Sequence, residues 1–160
     1  MRFFCISIGM TITYKEEQLK DFIPEFDALL RPHMSEINMT ERYGFEFKPE
    51  YKKYIKQQES GFLYVLTCRN DAELIGYMVF SVFPSIRYPD CMMSREELCY
   101  IKPEFRNKGL GKRLFVETEK LLKEKGANQV VFTTKTYKDH SYILEGLGYE
   151  FYEKHFIKKL

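Results

Sequence analysis

Apolar residues in this chain recur with a helical period in some stretches and run together or alternate in others, and the switches between the two mark out the elements. Thr11 to Tyr14 alternates and predicts a first strand, extended backward through Ile6 and Ile8. From Glu16 to Leu30, the stripe Leu19, Phe22, Ile23, Phe26 and Leu30 predicts an amphipathic helix, with Pro24 imposing a kink or a later start. Arg31 to Arg42 reads as a loop or a short helical piece. Pro49 to Gln58 predicts a second helix, carrying Tyr51, Tyr54 and Ile55 on one side and ended by Gly61.

Two β-rich runs follow, Phe62 to Cys68 and Leu74 to Phe83, joined as a hairpin by the polar turn Asn70-Asp71-Ala72-Glu73. Gly76 inside the second run marks a bulge. Pro84 to Met93 is a long loop, suited to gating a cleft or meeting a partner. Glu97 to Ile101 is a strand that Pro103 ends, and from Leu110 a helix begins, with Leu110, Leu114, Thr118, Leu121 and Leu122 on one side. Gly126 closes it. Gln129 to Thr134 predicts a buried parallel strand, Asp139 an N-cap for a short helix through Glu145, and Tyr149 to Ile157 a last, alternating strand.

The 160 residues fit one domain with a full core, and 44% hydrophobic with 16% aromatic residues excludes a disordered chain. Met10 reads as a second start, so residues 1–9 are expected to be an N-terminal extension and residues 10–160 the single domain. A formal charge of +2 is too small to argue for nucleic acid, and the basic run Lys102 to Arg113 is interrupted by Glu104. The four cysteines show no Cys-x-x-Cys spacing and no histidine at zinc-ligand spacing, so reduced, packed thiols and no metal are expected. Without a signal-peptide core or a spanning segment, the expectation is a cytoplasmic protein that does not enter membranes.

The chemistry concentrates between the strand ending at Ile101 and the helix beginning at Leu110. There the sequence reads Arg106-Asn107-Lys108-Gly109-Leu110-Gly111-Lys112. Two glycines where a strand hands over to a helix let main chain approach a ligand. The helix N-terminus and Arg106, Lys108 and Lys112 favour an anion such as phosphate. No Gly-Lys-Ser/Thr follows, so this is not a Walker loop, and Leu114 stands where a dinucleotide fingerprint needs its third glycine.

Arg-x-x-Gly-x-Gly after an apolar strand resembles the acetyl-CoA-binding signature of the GNAT superfamily of N-acetyltransferases, and Leu147-Gly148-Tyr149 resembles the Leu-Gly-Phe that ends the family's last helix. The predicted order of elements is also that of the family. The resemblance implies an α/β fold (α+β) with a mixed, mostly antiparallel sheet, splayed between its fourth and fifth strands, and helices on both faces. It implies acetyl-CoA as cosubstrate, held by the backbone of Cys99, Tyr100 and Ile101 and by Arg106, Asn107, Lys108, Gly109, Leu110, Gly111 and Lys112. It implies transfer of the acetyl group to a primary amine by direct attack in a ternary complex. The acceptor would be a small molecule or a protein, and members of this fold often form homodimers.

For a general base the strand offers Glu97 first and Glu96 second, because side chains alternate faces and Glu97 shares parity with Cys99 and Ile101. The alternative for either is a surface carboxylate at a strand end. Leu144 stands where many family members carry an acid tyrosine. His140, four residues earlier, shares its helical face and is the substitute acid, or else a helix-surface imidazole. Cys99 reads as a small core hydrophobe rather than a nucleophile. His33 and Glu36 would contact the acceptor on the family pattern, or belong to a solvated connection. Tyr43, Phe45, Phe47 and Tyr51 shape an acceptor pocket or fill core. The missing tyrosine motivates a rival reading, a catalytically silent CoA-binding module that acts through protein–protein contacts.

Overall fold

A computed structural model describes residues 11–160; the expected extension at residues 1–9 and the backward reach of the first strand through Ile8 lie outside the described residues. Five strands form one sheet in the order β1-β2-β3-β4-β5: β1 (Ile12–Glu16), β2 (Leu63–Asn70), β3 (Glu73–Pro84), β4 (Met92–Ile101) and β5 (Gln129–Val131). All neighbours are antiparallel except β4 and β5, which are parallel. Helices α1 (Ile23–Ile37), α2 (Met39–Tyr43) and α3 (Tyr51–Glu59) precede β2. Helix α4 (Leu110–Glu124) crosses from β4 to β5, and α5 (Ser141–Glu145) follows.

β3 is central and almost continuously buried, which is why its sequence is an apolar run rather than an alternation. Its side chains serve two cores. On one face Leu66, Met78, Phe80 and Ile101 pack with Leu114, Phe115, Leu121 and Leu122 of α4. On the other, Val65, Tyr77, Val79 and Tyr100 pack with Phe26, Leu29 and Leu30 of α1 and Leu19 before it, with Tyr51 and Tyr54 of α3 at the margin. Gly76 lies where β3 and β4 approach closely. A Cβ there would stand 2.6 Å from the Tyr100 carbonyl oxygen and 2.5 Å from Ile101 Cδ1. The ladder slips beside it, Ile75 being the extra residue.

Three expectations change. The first helix does not start at Glu16 or stop at Leu30: a 3₁₀ turn covers Leu19–Asp21 and α1 runs Ile23–Ile37. Pro24 sits in the first turn, where a missing N–H costs nothing. Pro32 is carried inside the helix because the stripe Phe26, Leu29, Leu30, His33 continues on the core side. Arg31 to Arg42 is therefore helical. The strand expected over Gln129 to Thr134 ends at Val131. No strand forms over Tyr149 to Ile157: residues 150–160 are irregular and exposed, and alternation by itself supplies no edge to pair with. No helix among the described residues is long and apolar enough to cross a membrane.

Candidate active site

β4 and β5 pair only through Met93–Gln129, Ser94–Val130 and Arg95–Val131. Beyond that point they part, and the opening is a cavity of about 770 Å³. β4 from Glu96 to Ile101 forms one wall. Thr133, Lys135, Lys138, Asp139, His140, Tyr142 and Ile143 form the other, with Arg106, Asn107, Gly109, Gly111 and Lys112 at one end and His33, Glu36 and Ile37 beside it; Lys108 and Leu110 do not line it. The cleft-side edge of β4 beyond Arg95 has no strand partner among the described residues, so its outward amides are donors for a ligand lying along it.

The ladder also slips between Val79 and Phe80: Val79 pairs with Leu98 and Phe80 with Glu96, leaving Glu97 as the extra residue of a bulge. The bulge reverses the parity expected from strict alternation. Glu96, paired with Phe80, takes the α4 face together with Cys99. Glu97 turns to the α1/α3 face and accepts a hydrogen bond from Ser81 Oγ at 2.9 Å. Glu96 Oε2 accepts from the Thr133 N–H at 3.0 Å. Burial between the cleft walls pushes its carboxyl up to about 7, against the opposing effects of that bond and of Lys135, and with some help from the Glu97 charge. Cys99, beside it, has its thiol pushed well up by burial and then by Glu96, which leaves an unreactive packing group.

The turn after β4 is built for an anion. Asn107 and Gly109 adopt left-handed backbone (φ 59° and 78°), and Gly109 caps α4 without any side-chain bond to the first-turn amides. Nothing lies within 4 Å of a Cβ built on Gly109 or on Gly111. Lys112 lines the cavity there, and Lys108 lies over the Phe105 ring instead. This open, amide-lined cradle fits the phosphates of a coenzyme A thioester. Arg106 has another task as well. Its Nε donates to the Ile101 carbonyl at 2.8 Å and its NH2 nitrogen to both Glu36 oxygens at 2.8 and 3.0 Å. Leu110 fixes the helix start, its carbonyl accepting from Tyr14 Oη at 3.1 Å.

The helical course of residues 31–37 decides the fate of the two expected acceptor contacts. His33 is buried, its Nδ1 2.8 Å from Tyr77 Oη and its ring stacked on Tyr100. Burial, more than any neighbouring charge, pushes its imidazole down to about 4, so it is a neutral wall group. Glu36 is tied to Arg106 and, at 2.7 Å, to Lys138 across the cleft. Burial would raise its carboxyl, but the bonds from those two cations hold it below the usual range. The contact continues beyond it: Tyr137 Oη donates to the Ile37 carbonyl at 2.7 Å, and the Arg42 guanidinium stacks 3.8 Å from the Tyr137 ring. No sequence spacing signals this strap between α1 and the chain after β5.

His140 stands just before α5 rather than within it. Its backbone N–H donates to Thr134 Oγ1 at 2.9 Å, its Nδ1 is 3.2 Å from the same oxygen, and its ring stacks on Phe115. Asp139 Oδ1 accepts from the Ser141 N–H at 2.9 Å. Burial, outweighing Asp139, lowers the imidazole's affinity for a proton. Leu144 is core, while Tyr142 is 68% exposed at the cleft edge. The long loop after β3 lines no part of the cavity and is tied instead to Asn128, through the Asp90 carbonyl at 2.9 Å and the Met92 N–H at 3.0 Å. Tyr51 and Phe47 pack against core, whereas Phe45 is 49% exposed.

Residues 27–155 match the family model described as acetyltransferase (GNAT) family. The chain belongs to that family. A search of curated proteins for sequence relatives finds no match. Among solved structures, the family's fold recurs in an aminoglycoside acetyltransferase from an uncultured soil metagenomic sample, in complex with sisomicin (TM-score 0.73, 17% identity, 93% of this chain and 96% of that one). It recurs in a ribosomal-protein-alanine N-acetyltransferase from Brucella melitensis biovar Abortus 2308 (TM-score 0.72, 16% identity, 94% and 99%). A third is an aminoglycoside N-acetyltransferase in complex with CoA (TM-score 0.70, 15% identity, 97% and 98%). At these identities the likeness is one of fold, and the mixed five-stranded sheet with helices on both faces is the architecture expected of a GNAT acetyltransferase.

Proposed function

We propose that this GNAT chain transfers the acetyl group of acetyl-CoA to a primary amine by direct attack, with Glu96 as general base. The observation that carries the reading is one cavity holding an anion cradle at Gly109 to Lys112 and, on β4, a half-buried carboxyl that desolvation pushes up to about 7. Acetyl-CoA supplies the activated acyl group. The chain's residues do the rest. Gly109, Gly111 and Lys112 receive phosphate. The unpaired edge of β4 near Tyr100 and Ile101 offers N–H donors to the carrier arm and to a developing oxyanion.

Aliphatic amines are protonated at neutral pH, so attack requires a base. A carboxylate poised near 7 both accepts a proton there and retains useful driving force, which suits Glu96 better than an exposed carboxylate. Glu97, exposed and turned to the α1/α3 face, supports that role less well than Glu96. His140, kept unprotonated by burial, supports a wall role better than an acid role, and with Leu144 in the core the leaving thiolate departs without help from that position.

Calorimetric titration of acetyl-CoA into the wild type and Gly111→Asp tests the cradle, because the open space around Gly111 lets the variant fold while its carboxylate repels phosphate. Saturable heat in the wild type, and its loss in the variant, is expected; equal heats, or none from the wild type, overturn the reading. Thiol release across an amine panel tests the chemistry: turnover that drops at least about a hundredfold in Glu96→Gln is expected of a general base. Binding without release on any amine would favour the silent CoA-binding module.

A further inference from the structure

The cavity's carboxylates are used unequally. Glu36 is saturated by Arg106 and Lys138, Asp139 is committed to the Ser141 N–H, and Glu96 receives the Thr133 N–H. Glu97 is exposed and accepts one hydrogen bond, from Ser81 Oγ. A carboxylate has about four acceptor positions, so most of Glu97's capacity is unused among the described residues, and Glu97 lines the cavity. Among the described residues it takes part in no salt bridge.

Its surroundings suit a cation. The bulge sends Glu97 to the α1/α3 face, where Leu98 packs and where the Tyr54 hydroxyl is close enough to feel the carboxylate's charge. A carboxylate oriented by a neutral hydroxyl, with acceptor positions to spare, is a chemistry that pairs with ammonium groups. Arg95, exposed and paired in register with Ser81, shares that face and bounds the subsite on its outer side. The neighbouring Glu96, on the other face, is the group that would deprotonate an attacking amine.

Resting on the amine-acetyltransferase reading, we infer that Glu97 is a subsite for a second ammonium group of the acceptor, so that this chain selects diamines and larger polyamines over monoamines. One amino group lies at Glu96 for attack, and the other pairs with Glu97 through the gap left by the parted strands. The attacking ammonium first gives a proton to Glu96; its nitrogen then forms the amide C–N bond as the thioester C–S bond breaks, CoA leaves as the thiolate, the second nitrogen proton passes to solvent, and the ammonium at Glu97 is unchanged.

The test is calorimetry on the full chain saturated with CoA, the thiol, so that no turnover intervenes. The probes are straight-chain diamines of three to six carbons, each against the monoamine of equal length. The wild type should bind at least one diamine about tenfold more tightly than its monoamine. Glu97→Gln should bring the two within about twofold and Glu97→Asp should restore part of the difference, while Glu96→Gln should preserve it. In steady state Glu97→Gln should raise KM for the diamine and leave kcat unchanged. Equal binding of both amines by the wild type, binding of neither, or an undiminished preference in Glu97→Gln overturns the proposal. Failure of CoA itself to bind is a different result, and overturns the acetyltransferase reading with it.

Discussion

Glu96 Oε2 accepts a hydrogen bond from the Thr133 N–H at 3.0 Å, joining β4 to the chain leaving β5 at the point where the two strands stop pairing. The side chain takes the place of a ladder carbonyl, which lets the sheet open without leaving that donor buried and unpaired. It also fixes one carboxylate oxygen of a residue that lines the cleft and leaves the other without a hydrogen bond among the described residues. Because burial places this carboxyl near 7, the base form fills as pH rises through that value. kcat/KM should therefore climb on an acid limb with an apparent pKa of about 7 and level off above it. Steady-state rates across the range in Glu96→Gln, whose amide can still accept from Thr133, should show the limb gone along with most of the activity.

The same burial makes Glu96 and His33 opposing sensors of stability. Between the ordinary 4.5 of a glutamate and about 7, the folded chain keeps a proton on Glu96 that the unfolded chain has released, so this group's contribution falls as pH rises. Between about 4 and 6.5 the unfolded chain holds a proton on His33 that the folded chain refuses, so that contribution rises with pH. Each is worth at most roughly 3 kcal/mol, and across their shared window they oppose. Urea denaturation at several pH values should give Glu96→Gln a stability gain over wild type that is near zero at pH 4.5 and grows to its maximum above pH 7. His33→Gln should lose the rise between pH 4 and 6.5. A pH-independent difference in either variant would show that the group is not desolvated as described.

Gly76 is a point where main chains meet rather than a turn. An added methyl must displace the Tyr100 carbonyl, which is backbone and cannot swing aside, as well as the more yielding Ile101 tip. Gly76→Ala should cost about 1–3 kcal/mol, the usual range for overpacking, and lower the thermal midpoint. Since Tyr100 and Ile101 lie on the cleft wall, acetyl-CoA affinity should weaken with it. Gly111→Ala, in open space, is the control and should leave the midpoint nearly unmoved.

The elements and the anion cradle could be read from the sequence because both depend on local signals. The apolar run of β3, the leucine stripe of α4 and the Gly109/Gly111 pair each carry their own physical reason. What could not be read depends on partners distant in the chain. Strict alternation put Glu97 with Cys99, and only the pairing with β3 reveals the bulge that exchanges Glu96 for Glu97. The apolar stripe read from the sequence stops at Leu30, whereas packing of Leu29, Leu30 and His33 carries the helix on to Ile37. That continuation brings Glu36 to Arg106, 70 residues away, and makes it a tie between the walls of the cavity it lines.

Glu36 thus supports the last prediction. It bridges Arg106 of the turn and Lys138 of the opposite wall, with Tyr137 and Ile37 bonded alongside. These ion pairs are partly exposed, with Glu36 at 25% and Arg106 at 37% side-chain exposure, so their direct worth is only about 1 kcal/mol. Their larger effect is orientation. Without Glu36, Arg106 is no longer held from two directions against the Ile101 carbonyl, and the turn ahead of α4 loosens where phosphate binds. Glu36→Gln should lower stability by about 1 kcal/mol at low salt, less at high salt, where screening weakens the pair. Because the carboxyl is held below its ordinary range, the wild-type advantage should be present above about pH 4.5 and fade as the medium becomes more acidic. KM for acetyl-CoA should rise severalfold with kcat little changed. A fall in kcat at unchanged KM would instead place Glu36 in the chemistry.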